Sequence, residues 1–379
     1  MYVKKRKIMI PLDSLWHFNR PILAIALADR LAQHQRIAMF GPRQTGKTTL
    51  LREEVMPILD EQGLLPIYID CWADRKDPMG SINHALTKCL DEILLAPGRP
   101  GKRAGRAPVR QLGVMGASIA LDELPERTMP GSPTLRFDTL LTRILEESRQ
   151  DVVLFFDEFQ SIAEVEGADD IAAGLRAALL QAHKHVGVVF SGSSEIELLR
   201  LFMTSKAPLF QFADTEPYAL LKEDFVGHVA SKFKASTRRD LNQVLALQLL
   251  EDFGHQPAPF LHAIAAMVAA PAMTLNQARA FVLDAATPSI WTIAWRGLTP
   301  LQRGVIRLIA DQAKPTAQAS LKLLSQWLAQ ESTPTSSVNR ALTVLVDKGL
   351  LERPGARYAV TDPVMHAWLR ANAELPLAD

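Results

Sequence analysis

Cysteine is scarce in this chain: Cys71 and Cys89 are the only two among 379 residues. Two thiols cannot build a disulfide framework, and neither has neighbours that suggest zinc. The pattern fits a reducing cytosol, and both read as packing residues. An excess of one charge is also missing. Forty-two Lys and Arg stand against 41 Asp and Glu, a net charge of +1. That removes any bulk electrostatic case for binding nucleic acid or an acidic surface. Long apolar runs are absent too, and none approaches the ~18 residues of a membrane span. The richest stretch, Phe260 to Met273, is interrupted by His262 and Pro271 and reads as a buried helix. At the start, MYVKKRK is basic, but the apolar run behind it, Ile8 to Leu12, is broken by Pro11 and is too short for a signal peptide. No internal repeat is visible. A cytoplasmic protein is expected, with no membrane partner. Its length predicts two or three domains, and 48% hydrophobic with 22% charged residues is an ordinary globular balance.

What the chain does contain is one stretch that organises the rest. Ile37 to Phe40 is an apolar run long enough for a buried strand. Behind it come Gly41, Pro42, Arg43, Gln44, Thr45, Gly46, Lys47 and Thr48, a full G-x-x-x-x-G-K-[ST] pattern, followed by Thr49 and a helical run. The glycines let backbone wrap close to phosphate, where a Cβ would collide. Successive amide groups and the helix N-terminus make an anion cradle. Lys47 is aimed at the β- and γ-phosphates, and the Thr48 hydroxyl at Mg²⁺.

A cradle needs an acidic strand end beside it. Val152 to Phe156 is a continuous apolar run, as expected for a central parallel strand, and it ends in Asp157-Glu158. Asp157 is placed to hold Mg²⁺, directly or through water. Glu158 is placed to act as general base toward the attacking water. A third apolar run, His185 to Phe190, ends in Ser191-Gly192-Ser193-Ser194. Ser193 is the candidate to touch the γ-phosphate or that water. The alternative, equally weighted, is that these serines form a turn and cap the helix starting at Glu195.

With these motifs in view, the chain resembles the additional-strand, catalytic-glutamate branch of P-loop NTPases. More narrowly, it resembles the archaeal-type ATPases of the STAND/AAA+-like group. Phe18-Asn19-Arg20 resembles that family's Phe-x-x-Arg box, which implies that Phe18 and Arg20 lie near adenine. VVFSGSS resembles its sensor segment. Tyr358 to Pro363 and Trp368 to Arg370 resemble the close of its winged-helix domain. The resemblance implies ATP and Mg²⁺ as cofactors, and an α/β fold: a parallel-sheet RecA/AAA+-like core with an additional strand, a helical lid and a C-terminal winged helix. The chain departs from the family in two places. Pro21 follows Arg20 where Glu is usual. Gln211 and Phe212 stand where an arginine is expected, which implies slow hydrolysis or an arginine finger from a partner.

In chain order, residues 1 to 17 read as a leading arm and Ile22 to Leu31 as an amphipathic helix. Thr48 to Leu59 reads as the phosphate helix, which Pro57 should end or kink. Pro66 to Asp70 reads as a second strand, with Asp70 a turn residue in preference to a nucleotide-facing one. Met79 to Leu95 is helical. Ala96 to Arg110 is rich in Gly, Pro and basic residues, with no acid. It reads as a solvated loop insertion, or else as a contact for phosphates or an acidic partner. Gly113 to Pro133 is weakly patterned and could form a hairpin. Asp169-Asp170 should cap a helix, and Pro217 to Leu221 could be the last core strand. The expected domains are thus 1–221 for the core, with its insertion at about 96–110, then 222–290 for the lid and 291–379 for the winged helix. The outward face of the last unit's third helix carries Asn339, Arg340, Thr343 and Lys348, a thin basic footprint for DNA, which protein docking or packing against the core suits at least as well.

Three functions compete. One is an ATP-hydrolysing molecular switch that moves the lid and the winged-helix unit. Another is a nucleotide-gated DNA-binding regulator with negligible turnover. The third is a small-molecule kinase, against which Glu158, the lid and the wing all count. Oligomerisation is compatible with all three. No guanine-reading Asn/Thr-Lys-x-Asp is visible, which leaves ATP ahead of GTP.

Overall fold

The computed structural model describes residues 18–95, 129–284, 289–353 and 357–377. The leading arm, the basic insertion, most of the expected hairpin and the turn of the wing lie outside the described residues. Contacts divide the chain into two units. One comprises Asn19–Pro42 and Lys47–Tyr218; the other comprises Met1–Phe18, Arg43–Gly46 and Ala219–Asp379.

In the first unit, helix α1 (Pro21–Ala32) leads into strand β1 (Arg36–Phe40). Pro21 occupies the first turn of α1, where its missing N–H costs no intrahelical bond. A helical run, α2, follows the glycine turn. It consists of Lys47–Thr49, a π-helical stretch Leu50–Val55, and Met56–Glu61. Pro57 neither ends nor sharply breaks this run. The Met56 N–H bonds to Leu51 O, five residues back, so the register has already slipped before the proline that cannot donate.

Next come strand β2 (Leu65–Asp70), helix α3 (Pro78–Leu95) and helix α4 (Pro133–Ser148). Strand β3 (Val152–Asp157), helix α5 (Ala168–Gln181), strand β4 (Val186–Gly192), helix α6 (Glu195–Met203) and strand β5 (Asp214–Pro217) complete the unit. The sheet runs β2-β3-β4-β1-β5. Every pairing is parallel. β4 therefore separates the strand before the glycine turn from the strand that ends in the two acids. That is the additional-strand arrangement the sequence predicts.

β3 and β4 are buried at every residue. Their unbroken Val, Leu and Phe runs are covered on both faces, and each fully buried side chain contributes ~1.5–3 kcal/mol. Phe156 and Phe190 stack across the two strands at 5.4 Å, and Phe159 packs on Phe190 at 4.5 Å. This aromatic wedge packs β3 against β4 near their carboxyl ends.

Two sequence expectations are corrected here. The last strand is Asp214–Pro217, not Pro217–Leu221. β5 is an edge strand paired only with β1, so it keeps charged Asp214 and Glu216, while the apolar Tyr218 and Leu221 serve as core. The cap of α5 is Gly167, at φ 76°, with Asp169 and Asp170 in the first turn, where the helix dipole favours negative charge.

The second unit is helical until its end. Helices α7 (Glu223–Thr237), α8 (Gln243–Asp252), α9 (Pro257–Ala269) and α10 (Leu275–Leu283) are followed by α11 (Ile290–Arg296), α12 (Pro300–Ala310), α13 (Gln318–Trp327) and α14 (Thr335–Asp347). Strands β6 (Leu351–Glu352) and β7 (Ala359–Val360) form an antiparallel hairpin, and helix α15 (Pro363–Ala371) closes the chain. Three helices and a two-stranded wing are the expected winged-helix arrangement. One apolar cluster runs from Leu221 to Leu377 and includes residues of both the α7–α10 and the α12–α15 groups. Asp362 ties its parts together. Its carboxylate caps α15 through the Val364 N–H at 2.8 Å, and it accepts from Trp291 Nε1 at 3.1 Å and Gln256 Nε2 at 3.2 Å.

Candidate active site

The parallel register sets the strand tips level with one another. Phe40 faces Gly192, and Asp70 faces Asp157. Chain connections at the carboxyl ends of such strands leave a crevice, and ligands bind there.

The glycine turn starts at Gly41, whose N–H bonds to Gly192 O at 3.3 Å. Room is tight at that point, since a Cβ on Gly41 would lie 2.9 Å from Tyr218 Cβ. Gln44 and Gly46 both have left-handed backbone, at φ 61° and 95°. Left-handed residues turn successive N–H groups inward, which is how a short loop makes an anion-binding concavity. Thr45 is fully buried, whereas Pro42, Arg43, Gln44 and Thr49 are exposed. Lys47 is buried, and its Nζ donates to Gly41 O at 2.7 Å and Pro42 O at 2.8 Å. The ammonium therefore rests on the carbonyls of its own turn.

Asp157 sits at the tip of β3, almost fully buried, and is surrounded by hydroxyl donors. Thr48 Oγ1 donates to its Oδ2 at 2.6 Å, and the Tyr68 hydroxyl donates to the same oxygen at 2.8 Å. Ser191 Oγ donates to Oδ1 at 2.5 Å. Burial, and then the charge and hydrogen bond of Asp157, push the Tyr68 phenol well above its ordinary range, so it remains a proton donor. Burial first, and then the same acidic surroundings, push the Cys71 thiol up. Cys71 is thus a buried packing thiol without reactive character.

Glu158 follows with left-handed backbone, φ 51° and ψ 41°. Its Oε2 accepts from Ser193 Oγ at 2.6 Å and from Gln160 Nε2 at 2.5 Å. Ser194 takes a different role. It caps α6, accepting the Glu197 N–H at 3.4 Å. Ser194 thus takes the capping role expected of these serines, while Ser193 bonds to Glu158.

Other candidates lie elsewhere. Arg20 stacks over the Tyr218 ring at 4.8 Å and hydrogen bonds to its hydroxyl, and the Arg20 N–H donates to Glu54 Oε2 at 2.5 Å. Phe18 belongs to the other unit and packs on Phe225 at 5.8 Å and His228 at 5.4 Å. Asp70 is exposed and accepts the Trp72 N–H at 2.9 Å, a turn role. Gln211 and Phe212 precede β5, whose Asp214 pairs with Ile37 near the start of β1. They therefore lie at the amino ends of the strands, away from the cradle. Phe212 is buried beneath Arg36, 4.3 Å from its ring centre.

Sequence reasoning passed over Tyr68 and Gln160, and it weighed Ser191 only as one of the hydroxyls at the end of its strand. Tyr68 is one of only four tyrosines, and it stands two residues before a strand end in a run otherwise apolar. That signal was present. Gln160 carried no comparable mark.

An oxygen-only donor set, Thr48 with Asp157, fits Mg²⁺, which favours a few protein oxygens together with phosphates and water. Among the described residues no cluster of three or more His, Cys, Asp or Glu could hold a metal by itself.

A family model described as a probable winged helix domain matches residues 290–371. No curated protein matches the sequence. Among solved structures, the Walker-type ATPase PABY2304 of Pyrococcus abyssi is 18% identical over 93% of this chain and 96% of that one, with a TM-score of 0.54. The ORC2 protein of Aeropyrum pernix, in ADPNP–ADP complexes, is 14% identical over 93% and 94%, with a TM-score of 0.45. The ORC1 protein of the same organism, in complex with DNA, is 14% identical over 96% and 95%, with a TM-score of 0.44. At these identities the likeness is one of fold, and the first structure carries it. The chain has the fold of a Walker-type ATPase with a C-terminal winged helix.

Proposed function

We propose that this chain binds and hydrolyses ATP with Mg²⁺ and works as a molecular switch. A single relationship supports the reading above all. Thr48, at the start of the phosphate helix, and Asp157, at the tip of β3, meet at 2.6 Å, with Glu158 next in the chain. Two distant segments thereby converge where one cation and one triphosphate would join them.

In this reading the backbone from Gly41 to Thr49 wraps the phosphates. Lys47 exchanges its two turn carbonyls for phosphate oxygens. Thr48 and Asp157 hold Mg²⁺, which when bound neutralises charge developing on the phosphates. Glu158 accepts a proton from the attacking water, and Ser193 holds Glu158. The roles of Phe18 and Arg20 near adenine rest on the family resemblance alone. The absence of an arginine at Gln211 or Phe212 favours slow or partner-stimulated turnover.

The deciding experiment measures phosphate release from ATP by the purified protein. Glu158→Gln should bind ATP and release almost none. Undiminished turnover in that variant would defeat the assignment.

A specific observation favours a nucleic-acid partner for the winged-helix unit. A cleft of about 1400 Å³ where that unit meets α8 and α10 is lined by Arg279, Lys314, Arg353, Arg357 and Arg370. Its one carboxylate, Asp252, is already bonded to Arg279 at 3.1 Å. Four cations are left facing an open concavity, in a chain whose net charge is only +1. Local charge of this kind suits a phosphate backbone. The alternative function, a nucleotide-gated DNA-binding regulator with negligible hydrolysis, uses the same surface. It is separated from the first by the phosphate-release measurement.

A further inference from the structure

Gln160 belongs to no motif used above, yet it touches the centre of the site. It lies in the short 3-10 turn Phe159–Glu164 behind β3 and is 4% exposed. Its Nε2 donates to Glu158 Oε2 at 2.5 Å and lies 3.3 Å from Ser193 Oγ. Ser193 Oγ donates to that same Glu158 oxygen at 2.6 Å. Three side chains from the tips of β3 and β4 thus close a triangle around one carboxylate oxygen.

Stability does not account for this triangle. The amide oxygen of Gln160 is buried and has no hydrogen-bond partner among the described residues, a loss that ordinarily destabilises a fold. Space for that oxygen exists only because residue 192 is glycine. A Cβ there would lie 2.5 Å from Gln160 Oε1. Glu158 itself has left-handed backbone, which a non-glycine residue adopts at a cost. An unsatisfied amide and a strained backbone meet at the same carboxylate. The tether also has a direction. Ser193 follows β4, the strand between β3 and β1, so the tether links Glu158 to the tip of that strand.

We infer that Gln160 is a positioning residue for Glu158. Together with Ser193 it holds Oε2, which leaves Oε1 to take the proton of the attacking water. In that step the water oxygen bonds to the γ-phosphorus and its proton passes to Glu158. The bond from the γ-phosphorus to the bridging oxygen breaks, and ADP leaves with the electron pair. Gln160 touches neither water nor nucleotide; it acts through Glu158. The inference therefore rests on the reading of Glu158 as general base.

The test is Gln160→Met, which keeps the volume and removes the donor. One hydrogen bond to a charged group corresponds to roughly a 10- to 100-fold change, so kcat for phosphate release should fall by about that factor. Affinity for a fluorescent ATP analogue should stay unchanged. In a Glu158→Gln background, single-turnover rates with and without Gln160→Met should coincide, because the residue acts only through Glu158. If Gln160→Met does not fold, Ser193→Ala poses the same question through the other donor. Three results would overturn the inference: wild-type kcat in both variants, affinity falling in step with kcat, or an equal further loss in the Glu158→Gln background. Full turnover in Glu158→Gln alone would instead remove the ATPase reading. Failure of one idea is thus distinguishable from failure of the other.

Discussion

Thr48 and Asp157 stand 109 positions apart in the chain and 2.6 Å apart in the fold, with the threonine hydroxyl donating to the carboxylate. Each is unremarkable alone. Their meeting is what turns a glycine-rich turn and an acidic strand end into one site.

Removal of that hydroxyl should be felt through the cation. Thr48→Val keeps shape and loses the oxygen. Phosphate release is expected to fall roughly 10- to 100-fold, as for other ligand and supporting-shell changes, with partial recovery as Mg²⁺ is raised. A Mg²⁺ titration of the rate checks this. An unchanged half-saturation point would contradict it.

Tyr68 supports the same carboxylate from β2. Tyr68→Phe leaves Asp157 with two hydroxyl donors, Thr48 and Ser191. Weaker Mg²⁺ dependence of the rate is expected, together with about 1 kcal/mol of lost stability from the missing bond. ATP binding measured in EDTA should be the same as in wild type. Parallel loss of binding in EDTA would mean that Tyr68 acts on the nucleotide directly.

At the opposite end of the sheet, Asp151 accepts from His34 Nε2 at 2.9 Å and His185 Nδ1 at 2.8 Å. Partial burial pushes its carboxyl up, but the bonds and charges of the two histidines outweigh that and hold it below its ordinary value. A depressed carboxyl favours the fold above its ordinary value of about 3.9, and the contribution disappears as pH falls through the depressed one. The cluster faces solvent, so screening limits its worth to roughly 0.5 kcal/mol. Denaturant unfolding of wild type and Asp151→Asn should differ by about that much at neutral pH. The gap should close in strong acid. A gap that widens in acid would reverse the sign.

Arg303 is 2% exposed and donates to the carbonyls of Trp295, Arg296 and Leu377 at 3.0, 3.1 and 2.9 Å. It pins the end of the chain to α11 and α12. Arg303→Met fills similar space but leaves those carbonyls without their donor, at a cost of roughly 2–4 kcal/mol. Thermal unfolding of the full chain would show it. Lysine should rescue little, since three carbonyls need a forked donor.

For the cationic cleft, Arg353→Ala with Arg357→Ala should weaken binding to a short duplex at low salt. It should also flatten the log–log salt dependence by about 2, close to one unit per lost phosphate contact. Equal loss of affinity at every salt concentration would argue against backbone contacts.

Much of this molecule was legible in one dimension. The glycine–lysine turn, the apolar runs of β1, β3 and β4, the acids at the end of β3 and the helix–helix–helix–hairpin close are local patterns. Local patterns follow from backbone geometry and from the burial of neighbouring side chains. β5 was misplaced because an edge strand is half solvated and carries charge, so its sequence lacks the apolar signature of the central strands. Pro57 does not end the helix because a one-residue slip in hydrogen-bond register, which no composition reveals, precedes it.

The sequence by itself determined which residues match a phosphate-binding pattern. Only the tertiary structure decided their order in space: β4 placed between β1 and β3, Tyr68 and Ser191 brought to Asp157, and Gln160 and Ser193 brought to Glu158. Hydrogen bonds act over a few ångströms, and a chain has no record of which distant residues will come that close. The parallel register of the sheet supplies it.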